Sequence, residues 1–348
     1  MIQKKRFKIL LLLVGFSIFC VLIYKVGLSN IYQHLSLLKW KILFFLLPFS
    51  VVSVLDTLGW KYSFKETNIR FRDLFSIRLA GEAINMIIPS ANLAGEPVKA
   101  YLLKKHNVSM VEGIASVVIS KALMTISQIV FVMVGVGFLL FQLNVSVSRL
   151  IGIIAMTLLG IPVIILILFT QKRGIFSSLL GLLRLFKIKI RYLEENVERL
   201  RVLDENILDF YRNYKKNFCL SITFYFLGWM AGLIEVSLVL YFTGYPAGFL
   251  PTYIIESLST VAKGITSFIP GSVGGQEGGI IMIFSCMKLS ASIAITFCIL
   301  RRFRELIWTA AGLFLLSRLE WAIAETSKGE LNPESGKLYV PPYLPPDN

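Results

Sequence analysis

ITSFIPGSVGGQEGGIIMIF, residues 265 to 284, is too apolar for a soluble loop and too broken for a continuous membrane helix. Pro270 removes one helical hydrogen bond, five glycines between Gly271 and Gly279 loosen the backbone, and Glu277 sets a carboxylate seven positions after the proline. The same grammar stands earlier in the chain, where residues 84 to 103 read INMIIPSANLAGEPVKAYLL, with Pro89 and then Glu96 seven positions on. Irregular backbone at membrane depth survives only where protein buries it or a watery cavity receives it. Each stretch therefore reads as a helix, break, helix hairpin that enters and leaves the membrane on one side.

The two stretches superpose without a gap at an offset of 181 residues, pairing Ile84 with Ile265, Ile88 with Ile269, Pro89 with Pro270, Glu96 with Glu277, Ser109 with Ser290, Ile114 with Ile295, and Lys121 with Arg302. That offset also lays an apolar run at 42 to 60 on one at 218 to 242, and one at 113 to 141 on one at 291 to 317. With further runs at Ile9 to Tyr24 and Leu150 to Thr170, the expected fold is all-α and integral to the membrane. It has about six transmembrane helices plus two re-entrant helical hairpins, arranged as an inverted repeat. Three spans per half turn the second half upside down relative to the first. The expected boundaries are a single membrane domain over 1–317, with half one at about 8–141 and half two at about 149–317, and a mobile tail over 318–348.

Composition agrees. Of 348 residues 55% are hydrophobic and only 16% charged, against about 25% charged in soluble domains. The formal net charge of +15 reads as topology rather than as a nucleic-acid footprint, because the positives cluster beside apolar runs. The run Lys4, Lys5, Arg6 and Lys8 leads into the first span without a small-x-small cleavage site, so that span is expected to be retained. The connection from Gln171 to Asn217 carries eleven Lys/Arg and six Asp/Glu, and is expected in the cytoplasm with both termini. Within it Leu193, Val197, Leu200, Ile207 and Tyr211 recur at helical spacing, the pattern of an amphipathic helix lying on the membrane or on the protein.

Ionisable groups at membrane depth are the candidates for function. Glu96 and Glu277 either cap the second helix of each hairpin or serve as a proton site or a contact for a cationic head group. Lys121, Arg301, Arg302 and Arg304 fall in apolar spans; they either pair with Glu96, Glu277 or Glu305 or clamp an anionic phosphate. Gly274 and Gly275, within the glycine-rich break, either form a nest of N–H groups for an anion or allow close helix packing. Glu82 aligns with Lys263 at the 181 offset, an exchange of sign that suggests either a pair across the pseudo-twofold axis or a surface position at each hairpin base. His34 and His106 are isolated and Cys20, Cys219, Cys286 and Cys298 form no CxxC pair, so no metal site, no cofactor and no catalytic residue is expected.

The run from Pro89 to Glu96 followed by Lys104 and Lys105, and the later Pro270, Gly271, Gly274, Gly275 and Glu277, resemble the lysylphosphatidylglycerol synthase transmembrane, or flippase-like, family. The resemblance covers roughly Lys8 to Ser317. Ala94 stands where many members have glycine, and Pro97 follows Glu96, two departures at the first hairpin tip. The resemblance implies a protein of a bacterial or archaeal cytoplasmic membrane that moves an amphipathic lipid between leaflets, either an anionic phospholipid or a polyprenyl-phosphate-linked lipid. The synthases add a soluble aminoacyl-transferase domain, for which the proline-rich end leaves no room here, so no enzymatic activity is expected. Two rival readings are a non-catalytic membrane partner that docks a lipid-modifying enzyme through residues 171–217, and a membrane-embedded transferase. The second is disfavoured by the absence of an Asp-x-Asp motif or a His cluster.

Overall fold

The computed structural model describes residues 43–88, 90–142, 197–269 and 272–329, with a few positions between 164 and 174. Pro89, Pro270, Gly271, the span expected at Ile9 to Tyr24, most of that at Leu150 to Thr170, and the chain beyond 329 lie outside the described residues. Those described form an all-α protein. The helices are α1 (Leu46–Lys61), α2 (Phe71–Ile87), α3 (Gly95–Leu102), α4 (Met110–Gln142), α5 (Val197–Asn213), α6 (Lys215–Phe242), α7 (Phe249–Ile265), α8 (Gly275–Cys286) and α9 (Ala291–Gly329).

The repeat seen in the sequence is present in the backbone. Helices α4 and α9 begin 181 residues apart, and the hydroxyls of Ser109 and Ser290 cap them alike, accepting from the N–H groups of Glu112 (3.2 Å) and Ile293 (3.3 Å). Just before these caps, Asn107 and Lys288 both take the left-handed conformation, at φ 59° each, and turn the chain out of the short helix and into the long one. Inside the breaks, Ala91 and Ser272 are also left-handed at equivalent positions, at φ 53° and 55°. Equivalent core residues are buried as well: Leu74 with Ile255, Leu103 with Phe284, and Val117 with Cys298.

Helix α1 packs along α6, and glycines set how closely. A Cβ at Gly59 would lie 2.8 Å from the ring of Tyr225, and one at Gly228 would lie 2.6 Å from the Asp56 carboxylate. The two halves also cross. Helix α2 lies against α9 and α7 against α4, so the first helix of each hairpin rests on the long helix of the opposite half. Gly312 makes the first crossing possible, since a Cβ there would stand 2.4 Å from the Leu79 carbonyl oxygen; Gly135 makes the second, 2.0 Å from Ser257 Oγ.

Among the described residues three helices are long and apolar enough to cross a membrane by length and composition: Leu43–Lys61, Met110–Leu140 and Lys215–Phe242. Helix α9 is long enough but carries Arg301, Arg302, Arg304 and Glu305 in its middle. It also runs past the expected end at Ser317, to Gly329. Large apolar side chains stand exposed along α6 (Leu227, Ile234, Tyr241) and α9 (Leu306, Leu313, Phe314), as suits a surface whose solvent is lipid.

The amphipathic segment lies on the protein. Leu203, Ile207 and Phe210 of α5 are buried against Ile119, Leu123 and Ile126 of α4 and Tyr225 of α6. Lys65, in the turn after α1, holds the polar side through Asn206 (3.0 Å) and Asp209 (2.5 Å). Hydrogen bonding to Lys65, then to Asn213, lowers the Asp209 carboxyl below its ordinary value. This exposed tether is therefore fully present above the normal carboxylate range and is lost as pH falls through the lowered value. Phe210→Ala removes a fully buried ring and is expected to cost about 3–5 kcal/mol locally. Hydrogen exchange is the readout: α5 amides should exchange at least tenfold faster while those of α1 keep their protection, and equal protection of α5 in both proteins would contradict the packing.

Candidate functional site

In lipid an unpaired charge costs several kcal/mol, so charges in these helices must find partners. They do so in two chains of alternating sign, one in each half.

In half one the chain runs Glu82, Lys99, Glu96, Lys121. Lys99 Nζ lies 3.1 Å from Glu82 Oε1 and 3.2 Å from Glu96 Oε1, and Lys121 Nζ is 3.8 Å from that Glu96 oxygen. Helix α2 supplies Glu82, α3 supplies Glu96 and Lys99 one turn apart, and α4 supplies Lys121. The start of α3 is capped from α2: the Gly95 N–H donates to Asn85 Oδ1 at 2.7 Å. Glu96 is thereby free of capping, one of the two roles weighed for it, and faces its two lysines, with Asn85 Nδ2 a weak donor at 3.4 Å.

In half two the chain runs Lys263, Glu305, Arg302, Glu277. Lys263 Nζ donates to Glu305 Oε1 at 2.8 Å, Arg302 donates to Glu305 Oε2 at 2.9 Å, and its fork grips Glu277 Oε1 from Nε at 2.6 Å and from Nη2 at 2.5 Å. Glu277 also caps its own helix, accepting from the Gly274 N–H at 2.6 Å. This occupies one of the donors a backbone nest for an external anion would need. Gly274 supplies the left-handed turn, at φ 81°. Gly275 packs close, where a Cβ would stand 2.4 Å from Thr266 Cγ2.

The shared motif is a carboxylate after the break and a cation 25 residues later on the long helix: Glu96 with Lys121, Glu277 with Arg302. Burial is uneven. The Glu277 side chain is 2% exposed and Arg302 16%, whereas Glu82 is 37%, Lys121 29% and Lys263 39% exposed, so the most accessible charges stand at the ends of the chains. The pairing of Glu82 with Lys263 across the pseudo-twofold axis does not occur: each finds a nearer partner within its own half, Lys99 and Glu305 respectively.

Arg301 is placed elsewhere. With only 6% of its side chain exposed, it reaches Glu256 Oε2 at 2.7 Å and Glu235 Oε2 at 3.7 Å, and its guanidinium lies over the Phe297 ring at 4.4 Å. Arg304 bonds to Glu235 and covers Phe49. These contacts tie α9 to α6, α7 and α1. In half one a single pair, Asp56 with Arg78 at 2.5 Å, ties α1 to α2. Sequence reasoning missed Lys99, Arg78 and Asn85 as site residues. For Lys99 the signal was available, since three residues after Glu96 is one helical turn.

The arrangement offers two charge-compensated chains inside a helical membrane body, each with an accessible terminal charge. The model of the lysylphosphatidylglycerol synthase TM region matches residues 8–312 of this chain. A UPF0104 membrane protein of Methanothermobacter thermautotrophicus is 26% identical over 72% of this chain and 77% of its own length. Similar UPF0104 membrane proteins occur in Pyrococcus horikoshii, at 23% identity over 85% of this chain and 92% of the relative, and in Methanocaldococcus jannaschii, at 25% over 84% and 89%. No solved structure matches the chain.

Proposed function

The chain belongs to the lysylphosphatidylglycerol synthase TM region family, and on that premise we propose that this multi-pass membrane protein translocates a phosphate-bearing lipid between leaflets. The observation that carries the reading is the repeated pair of carboxylate and cation, Glu96 with Lys121 and Glu277 with Arg302, set after each helix break. A polar head group crosses a hydrocarbon core only if each charge it carries meets a countercharge along the way. In each half a head-group phosphate first meets an accessible lysine, Lys121 or Lys263, and then exchanges with a carboxylate for it. Because each chain is formally neutral, an arriving phosphate anion brings one negative charge in excess, which a proton taken up by the displaced carboxylate neutralises. Helices α2 to α3 and α7 to α8 act as the two re-entrant hairpins, and the odd number of spans per half makes the repeat inverted. Opening alternates between the halves while the hydrocarbon chains stay in lipid.

The test is leaflet exchange of fluorescent phospholipid and polyprenyl-phosphate probes in liposomes holding the purified protein. Exchange should be fast with wild type and fall at least tenfold, to the rate of empty vesicles, with Glu277→Gln and with Arg302→Ala. Wild type indistinguishable from empty vesicles for every probe overturns the reading. The second reading, a non-catalytic partner that docks a lipid-modifying enzyme, is favoured by α5, which directs Arg201 and Glu205 outward while its apolar face is fixed to the protein. Under that reading a soluble enzyme copurifies with wild type and is lost when the outward charges of α5 are reversed.

A further inference from the structure

Two cavities adjoin at the end of the helix bundle that carries the basic turn after α1, well separated in sequence from Glu277 and Arg302. The larger, of about 620 Å³, is lined by the turn before α2, the start of α2 and the bend between α3 and α4. Three of its side chains are basic or can become so, Arg70, Lys105 and His106, and three are acidic, Glu66, Asp73 and Glu112. Among the described residues only one contact joins them, His106 Nδ1 to Asp73 Oδ2 at 4.0 Å. His106 Nε2 is buried without a hydrogen-bond partner. The smaller cavity, of about 340 Å³, lies between α4, α5 and the turn after α1; Phe64, Val111, Ile119 and Val202 wall it together with serine hydroxyls, Lys65 and Asn206, the last two already bonded to each other at 3.0 Å. Glu112 lines both.

From this juxtaposition we infer that the two cavities form one bipartite site for an amphiphile whose head carries both a phosphate and an amine. Both volumes fall in the range of small-molecule pockets. A wholly anionic head would suit Arg70 and Lys105 but would leave the acids facing like charge. A head with both signs satisfies both sets: phosphate at the two cations with His106 able to donate, ammonium at Glu66 and Glu112. The apolar wall of the cavity beyond Glu112, formed by Phe64, Val111, Ile119 and Val202, takes the first stretch of a hydrocarbon chain. The inference deepens the translocase reading, and rests on it for the class of ligand: this is where the lipid is received before the paired charges act.

Binding is measured on the full chain in detergent, by thermophoresis, with dihexanoylphosphatidylethanolamine, dihexanoylphosphatidylglycerol, glycerophosphoethanolamine and inorganic phosphate as probes. The ethanolamine lipid should bind at least tenfold more tightly than the other three. The double variant R70A/K105A and the single variant Glu112→Gln should each weaken it tenfold or more. Val202→Trp, at an exposed rim position, should weaken the lipid but leave glycerophosphoethanolamine unchanged. Leaflet exchange measured on the same wild-type preparation separates a failure of this site from a failure of transport. Equal affinity for the ethanolamine and glycerol lipids, equal affinity for the chainless head group, or binding insensitive to all three cavity variants overturns the proposal.

Discussion

Arg301→Ala unfolds the second half of the protein, at an expected cost of about 3–5 kcal/mol. The side chain is almost wholly buried and serves two carboxylates, Glu256 at 2.7 Å and Glu235 at 3.7 Å, on two different helices. Removing it leaves Glu256 charged and unpaired among apolar helices, and leaves Glu235 to Arg304 alone. The penalty arises from stranding a buried charge, not from losing an attractive contact, and this separates two outcomes. If stranding dominates, Glu256→Gln introduced beside Arg301→Ala should recover a substantial part of the loss, with a coupling of up to about 3 kcal/mol between the two sites. Thermal unfolding in detergent by intrinsic fluorescence checks it. A single variant that melts with wild type, or a double variant that melts lower than the single, would show that Arg301 does not hold α9 to α6 and α7.

Gly95→Ala is expected to collapse the first hairpin. A Cβ at this position would lie 2.0 Å from the Gly81 carbonyl oxygen and 3.0 Å from Asn85 Cγ, and the first of these obstacles is backbone that no rotamer change can move. Helix α3 must shift away from α2, breaking the 2.7 Å bond from Gly95 N to Asn85 and pulling Glu96 from its place beside Lys99. The effect should exceed the ~1–3 kcal/mol usual for an overfilled core. Gly278→Ala is the matched comparison, because a Cβ there meets nothing within 4 Å and alanine is the better helix former. Leaflet exchange and melting temperature should both fall for Gly95→Ala and hold for Gly278→Ala. Parallel behaviour of the two variants would refute the close crossing of α2 and α3.

The broken apolar stretches and the 181-residue offset were legible because both are one-dimensional. A proline, a cluster of small residues and a carboxylate at fixed spacing report a helix break regardless of what surrounds it, whereas Ser109 and Ser290 were visible only as an aligned pair and their capping role came with the structure. The same offset aligned Glu96 with Glu277 and Lys121 with Arg302, but left open whether these cations pair with carboxylates or clamp a phosphate. What could not be read was the choice among partners. Glu82 and Lys263 hold equivalent positions with opposite charges, yet the bridging residue comes from α3 in one half and from α9 in the other. That choice depends on helix rotation and on glycine-set crossings between segments far apart in the chain. The amphipathic segment posed the same difficulty: its pattern requires an apolar surface, and whether lipid or α4 provides it depends on the tertiary structure.

The crossing of the halves bears on how the protein is made. Helix α2 finds its seat around Leu79 and Ala83 only against Gly312, some 229 residues later in the chain. At ~5–20 residues per second of synthesis, the first hairpin waits on the order of 10–45 s in the membrane before its partner surface exists. During that interval Arg78, Glu82 and Lys99 can neutralise one another or Asp56 locally. A charge chain in half one that is complete before α9 exists would spare the unfinished hairpin unpaired charges in lipid until the helix that holds it has been made.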